Sequence, residues 1–363
     1  MPVGAIAPRR GAAGLWSRYA AWRDVAPDVR HERAGFIARV ATLARERGPL
    51  IVYPGWNESI DALLDARDEL PGEVQLPYGD ARSVRELQDK GALPRHAGEA
   101  GLSTPATLIE ASAGELLDVR IGAPCVIKPS RSVSALGATH VIDSEHEAQR
   151  LLRSVPGDER VLVQERAAGR LAGLAIVIDR RGRVVARHQQ EATRTWPPRA
   201  GTIAYATSVA PDGDLVEGVA RLLRSVGFFG LAQLDFMRAG DRYALIDVNP
   251  RFYCTLPLAL ASGVNLPAAW HATVVDRALP SPGPYRLGVS FRWFQADLSA
   301  ALRGSPKQLL RRAPAPRSGP MWAGDDPLPG LMLNAEAIAA RFRRRLPGVE
   351  RAGKSRRDAV RVA

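Results

Sequence analysis

The chain is poor in cysteine and in lysine, and it has no long apolar run. Two cysteines occur in 363 residues, Cys125 and Cys254, and neither sits in a Cys-x-x-Cys pair. That excludes a disulfide scaffold and a structural zinc site and makes a reducing cytoplasm the simplest compartment. Residues 1–14 carry two arginines but no apolar core, so they do not read as a signal peptide. The longest uncharged stretch lies between Arg251 and Asp276. It is broken by Pro257, Asn265, Pro267 and His271, and reads as buried helices and a loop rather than a membrane span. No internal repeat is visible. With 46% hydrophobic and 24% charged residues the chain is ordinary globular material, long enough for two or three domains at roughly 150 residues each.

A net charge of +12 raises the question of a nucleic-acid partner. Its distribution argues against one. Arg341–Ala363 holds nine Arg or Lys against two Asp or Glu, so this tail carries +7 and the rest of the chain +5. The tail reads as a solvated basic run, and the modest remainder suits a protein that handles small anions. Only four of the 50 cations are lysine: Lys90, Lys128, Lys307 and Lys354. In a chain so biased towards arginine, a lysine marks a position that needs a compact point charge rather than a planar fork.

Periodicity places an amphipathic helix over Arg30–Arg47, a short strand at Leu50–Tyr53 and a second helix from Asn57 to Leu70. A third helical stretch, Ser83–Ala100, is interrupted near Gly91 and Pro94. Strands are expected at Cys125–Lys128, Val161–Gln164, Gly173–Asp179 and Arg183–His188. A capping box at Ser144–Glu147 opens a helix to about Arg153, and Asp212–Val226 forms another. Leu231–Arg238 and Tyr243–Val248 make a hairpin across Ala239–Arg242. Beyond Pro280, Leu298–Leu310 and Asn334–Arg345 are the helical candidates. The pattern is α/β with α+β elements.

The hairpin carries the strongest chemical signal. With Asp235 opposite Asp247, strand alternation puts Asp235, Asp247 and Asn249 on one face. Arg251 follows Pro250 at the rim. Two carboxylates and an amide oxygen suit a hard cation such as Mg²⁺; the bland alternative is a solvated strand face ending in an Asn-Pro turn. Val126-Ile127-Lys128-Pro129 ends a strand and is followed by the small-residue loop Ser130–Gly137, which suits a phosphate, although it lacks P-loop spacing. Lys90, after Asp89, and Gln164-Glu165-Arg166-Ala167, at a strand end, are weaker signals on their own. His140 and His188 are minor candidates for bases.

These four motifs, in this order, resemble the ATP-grasp superfamily, and within it the bacterial carboxylate–amine ligases of the D-aspartate-ligase type. The resemblance runs from about Arg30 to Pro329. Asp89-Lys90 with Ala100–Pro105 resembles the entry to the ATP-grasp domain. Val126–Pro129 resembles the phosphate-binding lysine strand, and Val161–Glu165 the adenine hinge. Asp247-Val248-Asn249-Pro250-Arg251 matches the Glu-x-Asn-Pro-Arg signature, the most specific element. Arg194, Pro197, Pro198 and Gly201 resemble the basic strand and turn beside the acceptor site. Asp325-Asp326-Pro327, near Trp322, resembles the C-terminal region of the subgroup.

The resemblance implies two α+β subdomains gripping ATP over residues 86–280. A small Rossmann-like domain at residues 1–85, trimmed of its first βα unit, would precede them, and a C-terminal extension at 281–363 would follow. It implies that Lys90 and Lys128 hold the ATP phosphates, and that Gln164, Glu165 and Ala167 line the adenine edge. Asp235, Asp247 and Asn249 would hold Mg²⁺, or Mn²⁺ in its place. Arg251 and Arg194 would face the transferring phosphate and the substrate carboxylate. Half of the chain's four lysines fall on the two phosphate positions. Three departures stand out: Asp247 replaces the usual Glu, Gln164 replaces a frequent hinge Glu, and no ribose acid follows Gly169.

The implied activity is an ATP- and Mg²⁺-dependent ligation of a small-molecule carboxylate to an amine through an acylphosphate, with release of ADP and phosphate. An ATP-grasp enzyme with another acceptor, and an ATP-binding protein without turnover, stay open at this stage. No membrane or nucleic-acid partner is expected. Because the basic tail lies outside every motif, deleting Arg341–Ala363 is expected to leave ATP turnover nearly intact. A coupled ADP-release assay on the truncated chain checks this, and loss of activity would show that the tail serves the site.

Overall fold

The computed structural model describes residues 2–278, 284–303, 317–319 and 323–343. Lys307, Trp322 and residues 344–363 of the basic tail lie outside them. The chain forms two compact units. Of the described residues, one gathers 2–52, 58–75 and those from 318 on; the other comprises 53–57 and those of 76–317.

In the first unit, β1 (Val3–Ala7) and β2 (Ala20–Val25) pair in parallel. The residues between them hold one turn of 3-10 helix at Ala13–Trp16, too short a link for a full crossover helix. The chain thus opens on a strand and a single helical turn before β2. Helix α1 (Arg33–Arg47) buries Val40, Ala41, Leu43 and Ala44 along one stripe. It stops at Gly48, whose φ of 83° an L side chain rarely adopts. The pair β3 (Leu50–Ile51) and β4 (Val74–Gln75) is parallel, and α2 (Asn57–Asp65) lies between them in sequence. Ser17 Oγ and the Arg18 amide both donate to Asp326, and Tyr19 donates to Asp325, so the acidic pair clasps residues 17–19.

The second unit opens with α3 (Ala81–Gln88) and α4 (Leu93–Glu99). The interruption expected in this stretch is built by Asp89, whose Oδ1 accepts the Gly91 and Ala92 amides. Then comes an antiparallel sheet of β5 (Thr107–Ser112), β6 (Cys125–Pro129), β7 (His140–Ile142) and β8 (Arg160–Glu165), in the order β5-β8-β6-β7. Helix α5 (Glu145–Leu152) begins as its capping box requires: Ser144 Oγ accepts the Glu147 amide. Ile127, Ile142, Leu152, Val161 and Val163 form the core of this half.

The larger sheet contains β9 (Arg170–Ile178), β10 (Val184–Trp196), β11 (Thr202–Val209), β12 (Gly230–Ala239), β13 (Arg242–Asn249) and β14 (Ser290–Arg292). These six of its seven strands lie in the order β13-β12-β9-β10-β11-β14 and pair antiparallel; the seventh, Arg317–Ser318, follows β14. Helix α6 (Gly213–Ser225) is capped by Asp212. The uncharged stretch after Arg251 folds into α7 (Leu256–Ala261) and α8 (Leu266–Val274). Helix α9 (Phe294–Arg303) follows β14, and α10 (Pro327–Arg343) belongs to the first unit. Among the described residues no helix is long and apolar enough to cross a membrane.

Strand β10 runs well past the expected Arg183–His188. Its extension, Gln189-Gln190-Glu191, is too polar to read as a strand, yet Gln189 and Gln190 are buried. Gln189 donates to the Tyr243 hydroxyl and accepts the Asp212 amide, and Gln190 donates to Thr255 Oγ1. Residues 166–169 carry the chain from β8 in the smaller sheet to β9 in the larger one. Gly169 sits at φ 116°, and a Cβ there would meet the Arg238 carbonyl at 2.1 Å, so only glycine fits the end of this link.

Candidate active site

Register decides the central question. Asp235 pairs with Asp247 and Gln233 with Asn249 across β12 and β13. Opposite partners share a face, as do residues two apart, so Asp235, Asp247 and Asn249 face the same way. A chain of side-chain hydrogen bonds links Asp235 to Asn249 through Gln233 and on to Arg251. Gln233 Nε2 donates to Asp235 Oδ1 at 2.7 Å, Asn249 Nδ2 donates to Gln233 Oε1 at 3.0 Å, and Arg251 Nη2 donates to Asn249 Oδ1 at 3.1 Å. Gln233 escaped the sequence reading. Its signal was there, since it lies two residues before Asp235 and opposite Asn249.

Both motif lysines converge on β13. Lys90 Nζ lies 2.9 Å from Asp247 Oδ1. Its partner is this strand carboxylate and not the neighbouring Asp89, which is spent on the turn into α4. Lys128, on β6, donates through Nζ to the Ile246 carbonyl at 2.9 Å. Both lysines are buried, Lys90 at 9% and Lys128 at 4% exposure. Burial, then the Lys90 charge, lowers the Lys128 pKa to about 8 against a partial restoring pull from Asp247. The carboxylates split. Burial and then Asp247 push Asp235 up to about 7, with Gln233, Lys90 and Arg251 opposing. Burial also works against Asp247, but the charge and hydrogen bond of Lys90, with Lys128 and Arg251, hold it below the usual range.

Arg251 is fixed from several sides. Nε donates to Asn57 Oδ1 at 2.7 Å and Nη1 to the Phe252 carbonyl at 3.0 Å. The Tyr78 hydroxyl donates to the Pro250 carbonyl at 2.9 Å, pinning the turn before it. Neither Asn57 nor Tyr78 carried a sequence signal beyond the helix start at Asn57. The loop after Lys128 wraps one carboxylate. Ser134 Oγ donates to Glu159 Oε1 at 2.5 Å and the Ala135 amide to Oε2 at 3.0 Å.

The remaining candidates sit elsewhere. Gln164 is buried on β8, and its Nε2 donates to Thr107 Oγ1 at 2.9 Å. Glu165 is exposed and its amide donates to the Ala106 carbonyl. Ala167 lies in the link between the two sheets. Arg194, on β10, is not tied to the carboxylate set. A register shift between Ala192 and Arg194 puts it opposite Tyr205, and its Nε donates to Asp297. His188 is buried, and burial pushes its pKa down to about 4, so it is neutral at ordinary pH. His140 is lowered by the same cause.

Residues 87–255 match the family model described as the ATP-grasp domain. The fold is an ATP-grasp fold. Biotin carboxylase from Campylobacter jejuni, solved in a β-γ-ATP complex, superposes with a TM-score of 0.61 at 14% identity, covering 79% of this chain and 74% of that one. N5-carboxyaminoimidazole ribonucleotide synthetase from Thermus thermophilus gives 0.57 at 19% identity, over 77% and 73%. In sequence, acetyl-CoA carboxylase of Dictyostelium discoideum is 26% identical over 157 residues, 41% of this chain and 7% of that protein. The chain therefore spans only a small part of that curated relative's length. In ATP-grasp terms, β5–β8 form the smaller sheet, β9–β14 the larger, and residues 166–169 the link between them.

The donor set fits a hard divalent cation. Among the described residues no cluster of three His, Cys, Asp or Glu forms; the set is two carboxylates and an amide oxygen. Asp235 has one short amide donor and an anionic neighbour, so it is under-compensated as an anion, which a cation corrects. Asp235 has a folded pKa near 7 against an unfolded value of 3.8. Its ionisation therefore lowers stability progressively as pH rises from about 4 to about 7. Asp235→Asn is expected to raise Tm at pH 8 by about 2 °C or more, with the gain vanishing near pH 4. Mg²⁺ is expected to raise the wild-type Tm and leave that of Asp235→Asn unmoved. Thermal unfolding at both pH values, with and without Mg²⁺, checks this. An equal Mg²⁺ response in the two proteins would contradict the assignment.

Proposed function

We propose that this chain is an ATP- and Mg²⁺-dependent ligase, of the D-aspartate-ligase type, that activates a small-molecule carboxylate as an acylphosphate and joins it to an amine. ADP and phosphate are the other products. The observation that carries this reading is the convergence of Lys90 and Lys128 on the strand that bears Asp247, with Asp235 across from it. A protein that only stored or sensed a nucleotide would not need two facing carboxylates beside two buried lysines.

In this reading Lys90 and Lys128 exchange their present partners, Asp247 and the Ile246 carbonyl, for phosphate oxygens. Asp235, Asp247 and Asn249 would hold Mg²⁺, which when bound neutralises charge on the phosphates. Once Lys90 turns to phosphate, the bound cation would take over its task of keeping Asp247 anionic. Gln164, Glu165 and Ala167 border the adenine, with Gln164 acting through its backbone because its amide is spent on Thr107. Arg251, braced by Asn57 and Asn249, presents its fork towards the transferring phosphoryl group. No side-chain nucleophile is needed: the substrate carboxylate attacks, and the amine then displaces phosphate. Catalysis is positioning and charge neutralisation.

The test is ADP release across a matrix of carboxylates and amines. ADP formation that requires Mg²⁺ and both substrates, with an amide in the product, supports the proposal. ADP release indifferent to the amine would favour a different acceptor, and none with any pair would sink it. Substitution of the lysines gives a sharper expectation. Lys128→Arg keeps the charge, but a planar fork cannot take the place of a point charge in a buried position. It is expected to lower kcat/KM by about a hundredfold, affecting both KM for ATP and kcat. Lys90→Arg, between two helices rather than within a sheet, is expected to be milder. Steady-state kinetics of the two variants checks the order, and wild-type parameters in Lys128→Arg would remove Lys128 from the phosphate site.

A further inference from the structure

Away from the carboxylate cluster, one buried group organises two cations. Asp297, on α9, is fully buried at 0% exposure. Its Oδ1 accepts from Arg194 Nε on β10, and its Oδ2 accepts from Arg292 Nε on β14 at 2.6 Å. Tyr205 on β11 stands in register with both arginines, so Arg194, Tyr205 and Arg292 form a row across three adjacent strands. The Arg194 guanidinium lies over the Tyr205 ring at 4.8 Å, and that of Arg292 over Phe294 at 5.3 Å.

Three features of this group go beyond a structural ion pair. The charges do not cancel, because one carboxylate faces two guanidiniums. Both contacts are made through Nε, so the Nη groups of both forks are not used by Asp297. The arginine side chains are recessed, at 13% and 22% exposure, where an unmatched positive charge is costly to keep. Aromatic rings and a buried carboxylate hold the forks in place in advance, which limits the entropy lost on binding. Paired guanidinium forks in fixed orientation match the planar oxygens of a carboxylate or the oxygens of a phosphate monoester.

We propose that Arg194 and Arg292, yoked by Asp297, form a seat for a second anionic group of the substrate, a carboxylate or phosphate remote from the bond being made. This rests on the ligase reading for the identity of its occupant, though not for the existence of the seat. Arg292 and Asp297 are then additional site residues. Arg292 contacts the anion, and Asp297 is a positioning residue that acts through both arginines. The preferred substrates carry two anionic groups, one to be activated or joined and one to be held.

The test has two arms on the full chain. In the first, inorganic phosphate and malonate are titrated calorimetrically at fixed ionic strength into wild type, Arg292→Gln, Arg292→Lys and, as a control for the ATP-phosphate region, Lys128→Met. The expected result is binding weakened at least about tenfold by Arg292→Gln, only partly restored by Arg292→Lys, and retained in Lys128→Met. No binding to wild type, or equal binding to wild type and Arg292→Gln, overturns the proposal. The two probes separate carboxylate from phosphate preference. In the second arm, substrates that support ADP release are compared with analogues lacking the second anionic group. Arg292→Gln is expected to raise KM for the doubly anionic substrate while leaving KM for ATP and the poorer analogue unchanged. If no pair releases ADP, the ligase reading fails and the first arm still decides the seat. If analogues perform as well as doubly anionic substrates, the seat fails and the ligase reading stands. Asp297→Asn, should it fold, weakens both probes, which a role confined to packing would not produce.

Discussion

Two lysines buried against one strand set the terms for the rest of this site. Lys90 reaches Asp247 from the turn between α3 and α4, and Lys128 reaches the Ile246 carbonyl from the smaller sheet. A buried ammonium is tolerated only with a partner. The two must therefore share the negative field of β13 until an anion replaces it. That demand explains the split between the carboxylates. The one beside Lys90 is held ionised, while the one across the hairpin is left short of positive charge and is driven towards neutrality. In the proposed reading a divalent cation with a polyphosphate would satisfy all four groups at once, supplying anionic oxygen to the lysines and positive charge to the aspartates.

The surrounding residues keep this arrangement in register. The Gln233–Asn249–Arg251 hydrogen-bond chain fixes side chains on the hairpin face, and Asn57 and Tyr78 brace the turn after it. Gly169 allows the link between the sheets to pass close to the Arg238 carbonyl. The Asp297 group does comparable work at the other side of the larger sheet, fixing two guanidiniums where a substrate anion is expected.

Much of the site was legible in the sequence, for a specific reason. Asp235, Asp247, Asn249 and Arg251 lie on one short hairpin, so alternation and a turn were enough to bring them together. Lys128 ended a clear apolar strand. What could not be read depends on pairing between distant segments. That Lys90 belongs to Asp247 and not to Asp89 is fixed by where α3 delivers it, more than 150 residues away in sequence. The resemblance set Arg194 beside the substrate carboxylate; that its partners in the fold are Tyr205 and Asp297 depends on a register shift in β10. Within the fold, the apolar strands β6, β8, β9, β12 and β13 were found, and β11 was not. Polar β10 was cut short, and the first parallel pair was missed because a single 3-10 turn replaces the helix that marks such a unit.

The central claim is that the Lys90, Lys128, Asp235 and Asp247 cluster is a site for a metal-bound polyphosphate, and equilibrium binding tests it most directly. ATP would be titrated into wild type and Asp247→Asn, each with and without Mg²⁺. The account predicts that Mg²⁺ tightens ATP binding to wild type by at least about tenfold and has little effect in Asp247→Asn. ATP binding that is equally strong in both proteins and indifferent to Mg²⁺ would contradict it.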